Sequence, residues 1–203
     1  MLNCLSDYIP NKNRIVTIED TAELQLAKEH VVRLETKSAN VEGKGEFDIR
    51  RLVMNSLRMR PDRIVVGECR GPEALDMLQA MNTGHDGSMT TIHANTSEDV
   101  ILRLEVLVQT AADLPLQSIH RQIASAIDIV VQLVRFENGR RCVTQITEFV
   151  DYDETEERIV TKDIFKHGDG GYDADLVPTG CLPTFMPKLI EEKLLDLDLF
   201  YSS

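Results

Sequence analysis

The sequence lacks the features that usually identify membrane, secreted and zinc-binding proteins. Its longest apolar stretch, residues 127–134, includes Asp128 and Gln132 and is far shorter than the roughly 20 residues of a membrane-spanning helix. The amino terminus shows neither the basic nor the apolar region of a signal peptide. The four cysteines form no CxxC pair, so we expect no zinc site, no disulfide framework and a reducing, cytoplasmic location.

Positive charge is also scarce. The chain has 22 Lys and Arg residues against 34 Asp and Glu residues, which gives a formal net charge of -12. The summed field would repel nucleic acids and acidic membrane surfaces, although local basic patches can exist, so we expect no nucleic-acid partner. With 203 residues and 42% hydrophobic content, the chain can bury one full core, which predicts one main domain with a small appendage.

A further absence concerns phosphate binding. No GxxxxGK[ST] phosphate-binding loop occurs in the sequence. The nearest approximation, Gly43-Lys44-Gly45, lacks both the earlier glycine and the following Ser or Thr, so it is predicted to be a turn. Such a loop supplies the backbone N–H groups, the lysine and the Mg²⁺-binding hydroxyl that give most of the affinity for nucleotide phosphates.

The sequence does contain a regular alternation of apolar, strand-like runs with helix-period segments. This alternation is typical of an α/β fold in which helices cover both faces of a mostly parallel sheet. The predicted strands lie at residues 14–18, 30–34, 63–67 and 88–93. The predicted helices lie at residues 2–9, 47–59, 74–81, 98–110 and 116–126.

After residue 126 the pattern changes to that of antiparallel strands. Strand-like runs at residues 129–136 and 142–150 flank Glu137-Asn138-Gly139, the strongest β-hairpin signal in the chain. The acidic residues between 151 and 157 are predicted to form a solvated hairpin tip, followed by one more strand and a short terminal helix at about residues 188–195. We therefore expect an α/β core at residues 1–150 and an appendage at residues 151–203.

Two carboxylates follow predicted strands of the sheet. Glu19 follows the strand at residues 14–18, and Glu68 follows the strand at residues 63–67. Because ligands bind at the carboxyl ends of the strands in open α/β sheets, the two can share a site, where one holds a Mg²⁺ shell and the other orients or deprotonates water. The structural alternatives are an ordinary polar loop for Glu19 and a helix-capping acid before Pro72 for Glu68.

Two histidines lie on either side of the last predicted parallel strand. His85 and His93 bracket the pair Thr90 and Thr91. An imidazole can hydrogen-bond a phosphate oxygen and transmit its loss, so this segment is a candidate sensor of a γ-phosphate. The alternative is that each histidine is simply a core or surface residue, which is the commoner case for a lone histidine.

Taken in order, three segments resemble the motifs of a known family. RIVTIED (residues 14–20), LRMRPDRIVVGECRGPEA (residues 57–74) and TGHDGSMTTIHAN (residues 83–95) resemble the aspartate box, the Walker B motif and the histidine box of the secretion and pilus ATPase superfamily. Within it they look most like the CpaF-like branch of tight-adherence pilus assembly. The similarity runs from Met1 to about Val150 and continues more weakly over residues 176–192.

The resemblance implies a RecA-like P-loop NTPase core, a mostly parallel sheet flanked by helices, with a C-terminal β-hairpin and a short α tail. The implied cofactors are ATP and Mg²⁺. Glu68 resembles the Walker B carboxylate, which acts on Mg²⁺ through its water. Glu19 resembles the aspartate-box acid, which serves as catalytic base or water orienter.

The same resemblance assigns roles to nitrogen-bearing side chains. His93 resembles the histidine that contacts the γ-phosphate region, and His85 and Thr91 belong to the same box as further cofactor-binding candidates. The arginines around the Walker B strand are implied candidates for phosphate or intersubunit contacts, with salt bridges to acidic loops as the alternative for at least one of them: Arg58, Arg60 and Arg70.

For the parent protein, the resemblance implies a hexameric, ATP-driven motor at the cytoplasmic face of the inner membrane that moves an inner-membrane platform protein of a pilus or secretion complex. Family members carry a glycine-rich loop upstream of the helix that LNCLSDYIP resembles, and this sequence lacks it. We therefore expect an amino-terminally truncated chain that hydrolyses ATP little or not at all alone. The alternatives are a catalytically dead RecA-like module that joins or regulates such a ring, and a nucleotide-binding fold unrelated to secretion.

Overall fold

The computed structural model describes residues 1–168, 171–192 and 194, so the predicted end of the last helix at residue 195 lies outside the described residues. The chain forms two compact units. The first comprises Met1–Ala94 and Val100–Ala126, and the second comprises Asn95–Asp99 and Ile127–Ser203. The first unit ends before residue 150 because the strands after Ala126 pair with one another. The expected division into domains at residue 150 stays a prediction from the family resemblance.

The first unit is built on a four-stranded parallel sheet with the strand order β2-β1-β3-β4. Its strands are β1 (Ile15–Glu19), β2 (Val31–Glu35), β3 (Arg63–Val66) and β4 (Met89–Thr90). The central strands β1 and β3 are buried on both faces, which is why their sequences are nearly continuous apolar runs. The parallel sheet predicted from the alternation of strands and helices is confirmed.

A separate apolar core covers each face of this sheet, because alternate side chains of a strand point to opposite faces. One core joins β1 and β3 to α2 (Ile49–Ser56) and α3 (Glu73–Met81) through Val16, Ile18, Ile64, Val66, Leu52, Val53, Met77 and Ala80. The other joins the same strands to α1 (Leu2–Ser6) and to the loops after α1 and after β1 through Ile15, Val65, Leu2, Ile9 and Leu26.

Two further helices, α4 (Ser97–Ala111) and α5 (Leu116–Ala126), follow β4 in the chain. In the first unit, Nε2 of His120 in α5 lies 2.6 Å from Oε1 of Glu105 in α4. The side-chain amide of Asn82, after α3, donates to the carbonyl of Gln122 at 3.1 Å and ties α5 to α3. Among the described residues, no helix combines the length and the apolar content needed to cross a bilayer.

The second unit contains an antiparallel sheet with the strand order β5-β6-β7-β8. Its elements are β5 (Ile129–Arg135), β6 (Arg141–Asp153), β7 (Arg158–His167), β8 (Leu176–Pro178) and α6 (Met186–Glu191). The predicted β5–β6 hairpin is confirmed, and its Gly139 has a φ of +84°, a conformation that glycine adopts without strain. Strand β6 extends beyond the prediction to include Asp151 and Asp153, so the acidic tip is shorter than expected.

Candidate functional site at the carboxyl edge of the parallel sheet

The carboxyl edge of the parallel sheet brings together side chains from the ends of three strands. Glu19 is the last residue of β1, Glu68 lies two residues beyond β3, and Thr91 and His93 follow β4. These strands are adjacent and parallel, so the four residues emerge at the same end of the sheet. Residues from three separate sequence motifs therefore lie at one edge of the sheet. We call these four residues, together with Arg70 and Asp20, the carboxyl-edge cluster.

Glu68 is at the centre of the carboxyl-edge cluster. Its Oε1 lies 3.1 Å from Nε2 of His93, within hydrogen-bonding distance, and its Oε2 lies 4.0 Å from a guanidinium nitrogen of Arg70. Arg70 also forms an ion pair with Asp20, the residue after β1. The side chains of Glu68, Arg70 and His93 are 35%, 58% and 89% exposed, so their polar groups stay hydrated and can exchange partners at low cost.

Thr91 holds the histidine segment against the loop after β3. Its hydroxyl donates to the carbonyl of Gly67 at 2.6 Å, and its carbonyl accepts from the N–H of Cys69 at 2.8 Å. The strand predicted at residues 88–93 is shorter in the structure, since only Met89–Thr90 pair as β4, and these two bonds continue the connection beyond it. The hydroxyl of Thr91 thus has a partner within the protein, and its contact with a nucleotide stays a prediction.

Glu19 differs from Glu68 because it is almost entirely buried, with 5% of its surface exposed. Its Oε1 accepts hydrogen bonds from the N–H groups of Glu23 at 3.0 Å and Leu24 at 2.9 Å. These bonds fix the loop after β1. Gly67 allows β3 to approach closely, since a Cβ there would lie 3.1 Å from Cγ of Glu19.

A groove of about 350 Å³ lies beside the ion pair of Asp20 and Arg70. An isolated bridge between Lys37 and Phe47 joins two of its lining segments. The lining also includes Thr36, Ser38, Gly71 and Glu73. Arg70 therefore belongs both to the carboxyl-edge cluster and to the adjoining groove.

Three of the predicted site residues lie at the opposite, amino edge of the sheet. Arg58 and Arg60 precede β3, and the carbonyl of Met59 between them accepts from Nε of Arg14, the residue before β1, at 3.0 Å. His85 precedes β4, and its Nδ1 lies 3.0 Å from the carbonyl oxygen of Ala80. A residue before a parallel strand emerges at the other end from a residue after it, so the structure does not bring these three to Glu68. Their contacts with phosphate or a neighbouring subunit stay predictions.

Sequence reasoning missed Glu73, a buried acid next to the carboxyl-edge cluster. Its Oε1 accepts the N–H groups of Arg70 and Gly71, both at 2.8 Å. The available signal was its position three residues after Arg70, but an acid in the first turn of a helix is also expected simply because it complements the helix dipole.

The cysteine of the loop after β3 has no accessible thiolate. Burial raises the pKa of the Cys69 thiol to about 12, and the negative charges of Glu73 and Glu68 add to the effect. The thiolate is the reactive form of cysteine, so Cys69 is inert at neutral pH. Its role here is packing, since it is only 1% exposed.

The carboxyl-edge cluster fits a magnesium ion bound through water. Mg²⁺ in nucleotide sites keeps several waters and is held by one or two carboxylates together with substrate phosphates. Glu68 provides an exposed carboxylate for this purpose. Within the part of the chain that the structure describes, no group of three or more His, Cys, Asp or Glu side chains converges as a separate metal cage. The expected absence of zinc stays a prediction.

Comparison with known proteins identifies the family to which this chain is similar. The profile of a family described as type II/IV secretion system protein matches residues 1–167. A protein of Mycobacterium tuberculosis (strain H37Rv) named for conjugal transfer is 43% identical over 146 residues, 72% of this chain and 41% of that protein. The conjugal transfer protein TrbB of Rhizobium radiobacter is 43% identical over 129 residues, 64% of this chain and 37% of that protein.

A solved structure of a secretion ATPase is also similar to this chain. The VirB11 ATPase from the Brucella suis type IV secretion system, in complex with sulphate, matches with a TM-score of 0.63 and 30% identity over 71% of this chain and 43% of that one. The present chain thus spans about two fifths of the length of these relatives. The matched residues include every member of the carboxyl-edge cluster and most of the antiparallel sheet. The chain belongs to the type II/IV secretion system protein family.

Proposed function

We propose that this chain is the C-terminal part of an ATP-hydrolysing, RecA-like motor that powers pilus assembly or protein secretion. The observation that carries the proposal is the meeting of Glu68, His93 and Arg70 at the carboxyl edge of a parallel sheet, beside the buried Glu19. Ligands of open α/β sheets bind at this edge. Family membership and the likeness to the Brucella suis ATPase favour a secretion motor over an unrelated nucleotide-binding fold.

The proposed roles follow from exposure and hydrogen bonding. Glu68, exposed and beside two nitrogen donors, holds the water shell of Mg²⁺, an ion that neutralises phosphate charge when bound. Glu19, fixed by two backbone N–H groups, is the second acid and orients or deprotonates the attacking water. His93, almost fully exposed, contacts the γ-phosphate region and responds to its loss.

Arg70 is the cation of the site in this proposal. It pairs with Asp20 and lies near Glu68, and its exposed guanidinium can exchange these carboxylates for a phosphate group. Because exposed ion pairs contribute little stability, the exchange costs little.

The first experiment measures magnesium-dependent phosphate release by the 203-residue chain and by its Glu68→Gln variant. Both are expected to stay near the blank, because the sequence has no GxxxxGK[ST] loop to hold the phosphates. Hydrolysis that survives Glu68→Gln would contradict both the low activity and the role assigned to Glu68.

The second experiment tests participation in a ring. The chain is mixed with a full-length member of the family, and the assembly is sized by light scattering and assayed for hydrolysis. We expect co-assembly into a hexamer whose activity is higher with the wild-type chain than with Glu68→Gln. A chain that stays separate from the full-length protein would contradict the motor assignment.

The cellular setting is also part of the proposal. The motif order favours the CpaF-like branch of tight-adherence pilus assembly, whereas the relatives identified are named for conjugal transfer and type IV secretion. In either system we propose a cytoplasmic location, peripheral to the inner membrane through a platform protein. Crosslinking in cells to an inner-membrane protein of the same gene cluster tests this placement.

The second candidate function is a catalytically dead RecA-like module that joins or regulates a secretion ATPase ring, the alternative that the sequence motifs leave open. The mixing experiment distinguishes the two. A regulatory module would enter the ring and change its activity equally with or without Glu68→Gln, whereas a motor component would not.

A further inference from the structure

The loop between β3 and α3 presents both Glu68 and Arg70, and its backbone is fixed at consecutive residues. The N–H of Cys69 donates to the carbonyl of Thr91. The N–H groups of the next two residues, Arg70 and Gly71, donate to the carboxylate of Glu73. The loop is therefore held along its backbone, while the two side chains that it presents remain accessible.

We propose that Glu73 is a positioning residue for Glu68 and Arg70. Its buried carboxylate holds the loop amides in the one conformation that directs these two side chains to the carboxyl-edge cluster. The inference rests on the proposed function for the roles of Glu68 and Arg70. Among the described residues, Glu73 bonds only to backbone N–H groups, so it acts through Glu68 and Arg70 and not on a substrate.

The environment of Glu73 shows that its bonds to the loop are what satisfy its buried carboxyl group. It is 5% exposed, and no ion pair joins it to a Lys, Arg or His side chain among the described residues. A buried carboxylate is costly unless it is hydrogen-bonded, and bonds from N–H groups to an ionised acceptor are stronger than those between neutral groups. Because Oε1 accepts two such bonds, Glu73 and the loop order one another.

These bonds order the loop and not the helix that follows it. The N–H groups of Ala74 and Leu75 donate to the carbonyls of Gly71 and Pro72, so the first turn of α3 closes without help from Glu73. Glu73 bonds instead to amides that precede the helix. A purely helix-stabilising acid would leave the position of Glu68 unchanged when it is removed.

Gly71 gives independent support, because its lack of a side chain is required by the same arrangement. A Cβ at this position would lie 2.9 Å from Oε2 of Glu73, closer than non-bonded atoms approach. A side chain at residue 71 would therefore force the Glu73 carboxylate, the flexible end of that side chain, to shift. Gly71→Ala offers a second way to disturb the proposed contact without changing Glu73.

The experiment records amide hydrogen exchange and nuclear Overhauser contacts by NMR on the isotope-labelled 203-residue chain. In Glu73→Ala, we expect the amides of Arg70 and Gly71 to exchange about tenfold faster than in the wild type, and the contact between the His93 ring and the Glu68 side chain to be lost. In Glu73→Gln, whose amide oxygen still accepts hydrogen bonds, we expect exchange within about threefold of the wild type and the contact retained.

Asp76→Ala is the matched control. Asp76 is a second buried acid of α3, but it pairs with Arg50 at 2.7 Å and makes no bond to the loop. This variant should lower the urea midpoint while leaving the exchange of the Arg70 and Gly71 amides unchanged.

Unaltered loop exchange or a retained His93–Glu68 contact in Glu73→Ala would overturn the proposal. If that variant does not fold, Gly71→Ala is measured in its place, with the same two expectations and the same overturning results. These measurements use no nucleotide, so their failure is distinguishable from failure of the motor assignment, which the hydrolysis and mixing experiments test.

Discussion

Single residues determine how closely the strands approach at the carboxyl edge, and Gly67 is the tightest point beside Glu19. Adding a methyl group in Gly67→Ala places Cβ 3.1 Å from Cγ of Glu19, so we expect a loss of about 1–3 kcal/mol in the free energy of unfolding, measured with urea. Gly168→Ala is the control, since its nearest side-chain neighbour, Cβ of Ala174, lies 3.6 Å away in ordinary contact. Equal stabilities of the two variants would contradict the close approach.

Asp163 in β7 makes the free energy of unfolding depend on pH. Burial acts to raise its pKa, but hydrogen bonds from Lys166, Gln145 and Thr147 outweigh this and hold the pKa below its usual value. A depressed pKa gives stability that is present above the unfolded pKa and is lost as pH falls through the folded pKa. Between about pH 5 and pH 2 the wild type should therefore lose more stability than Asp163→Asn in urea unfolding. The same dependence of the unfolding free energy on pH in the wild type and in Asp163→Asn would contradict this.

The positions of site residues were predictable from the sequence only where a strand end fixed them. Glu68 and His93 follow apolar or threonine-rich strands, so their common edge could be inferred. Arg58 and Arg60 lie close to Glu68 in sequence, yet the intervening strand carries them to the opposite edge of the sheet. The role of Glu73 could not be inferred, since the direction in which a first-turn acid points depends on packing.

At the scale of whole elements, a buried acid of the antiparallel sheet binds the segment of residues 181–192, which contains α6. Glu148 in β6 is 1% exposed, and its carboxylate accepts the N–H of Thr184, at 2.8 Å to Oε1 and 3.1 Å to Oε2, as well as the Thr184 hydroxyl. Strand β6 thereby fixes the turn that precedes α6.

Thr184→Val tests this attachment, because it keeps the shape and the N–H but removes the hydroxyl donor. We expect a loss of about 1–3 kcal/mol in the free energy of unfolding and faster proteolysis within residues 181–192. Thr155→Val, in the exposed turn between β6 and β7, is the control and should change neither quantity. Unchanged proteolysis in Thr184→Val would show that the bond from the Thr184 hydroxyl to Glu148 does not hold the segment.

The elements themselves were largely predictable because their periodicities are strong. The bounds of α5 and the β5–β6 hairpin follow directly from the apolar pattern and from Asn138-Gly139. Strand β4 was predicted too long, since Thr91 has the composition of a strand but makes its bonds to the loop after β3. The four-stranded extent of the second sheet was missed, because β8 has only three residues and includes Pro178.

At the scale of the whole molecule, the buried thiol of Cys69 makes the free energy of unfolding fall as the pH rises. Burial raises its pKa to about 12, and a raised pKa gives stability that is present below the unfolded pKa of about 8.5 and is lost as pH rises through the folded value. Between about pH 8.5 and pH 12, the urea midpoint of Cys69→Ala should therefore fall less steeply with pH than that of the wild type, apart from a constant offset. The same slope in both proteins would contradict the raised pKa.

The path of the chain between the two compact units limits how one unit can be exchanged between related proteins. The backbone passes from one compact unit to the other at three places, after Ala94, after Asp99 and after Ala126. A break at Ala126 would separate Ser97 from Thr147, its hydrogen-bond partner at 3.0 Å. No single crossover can exchange either unit intact, so a chimera that replaces one unit needs crossovers at all three places.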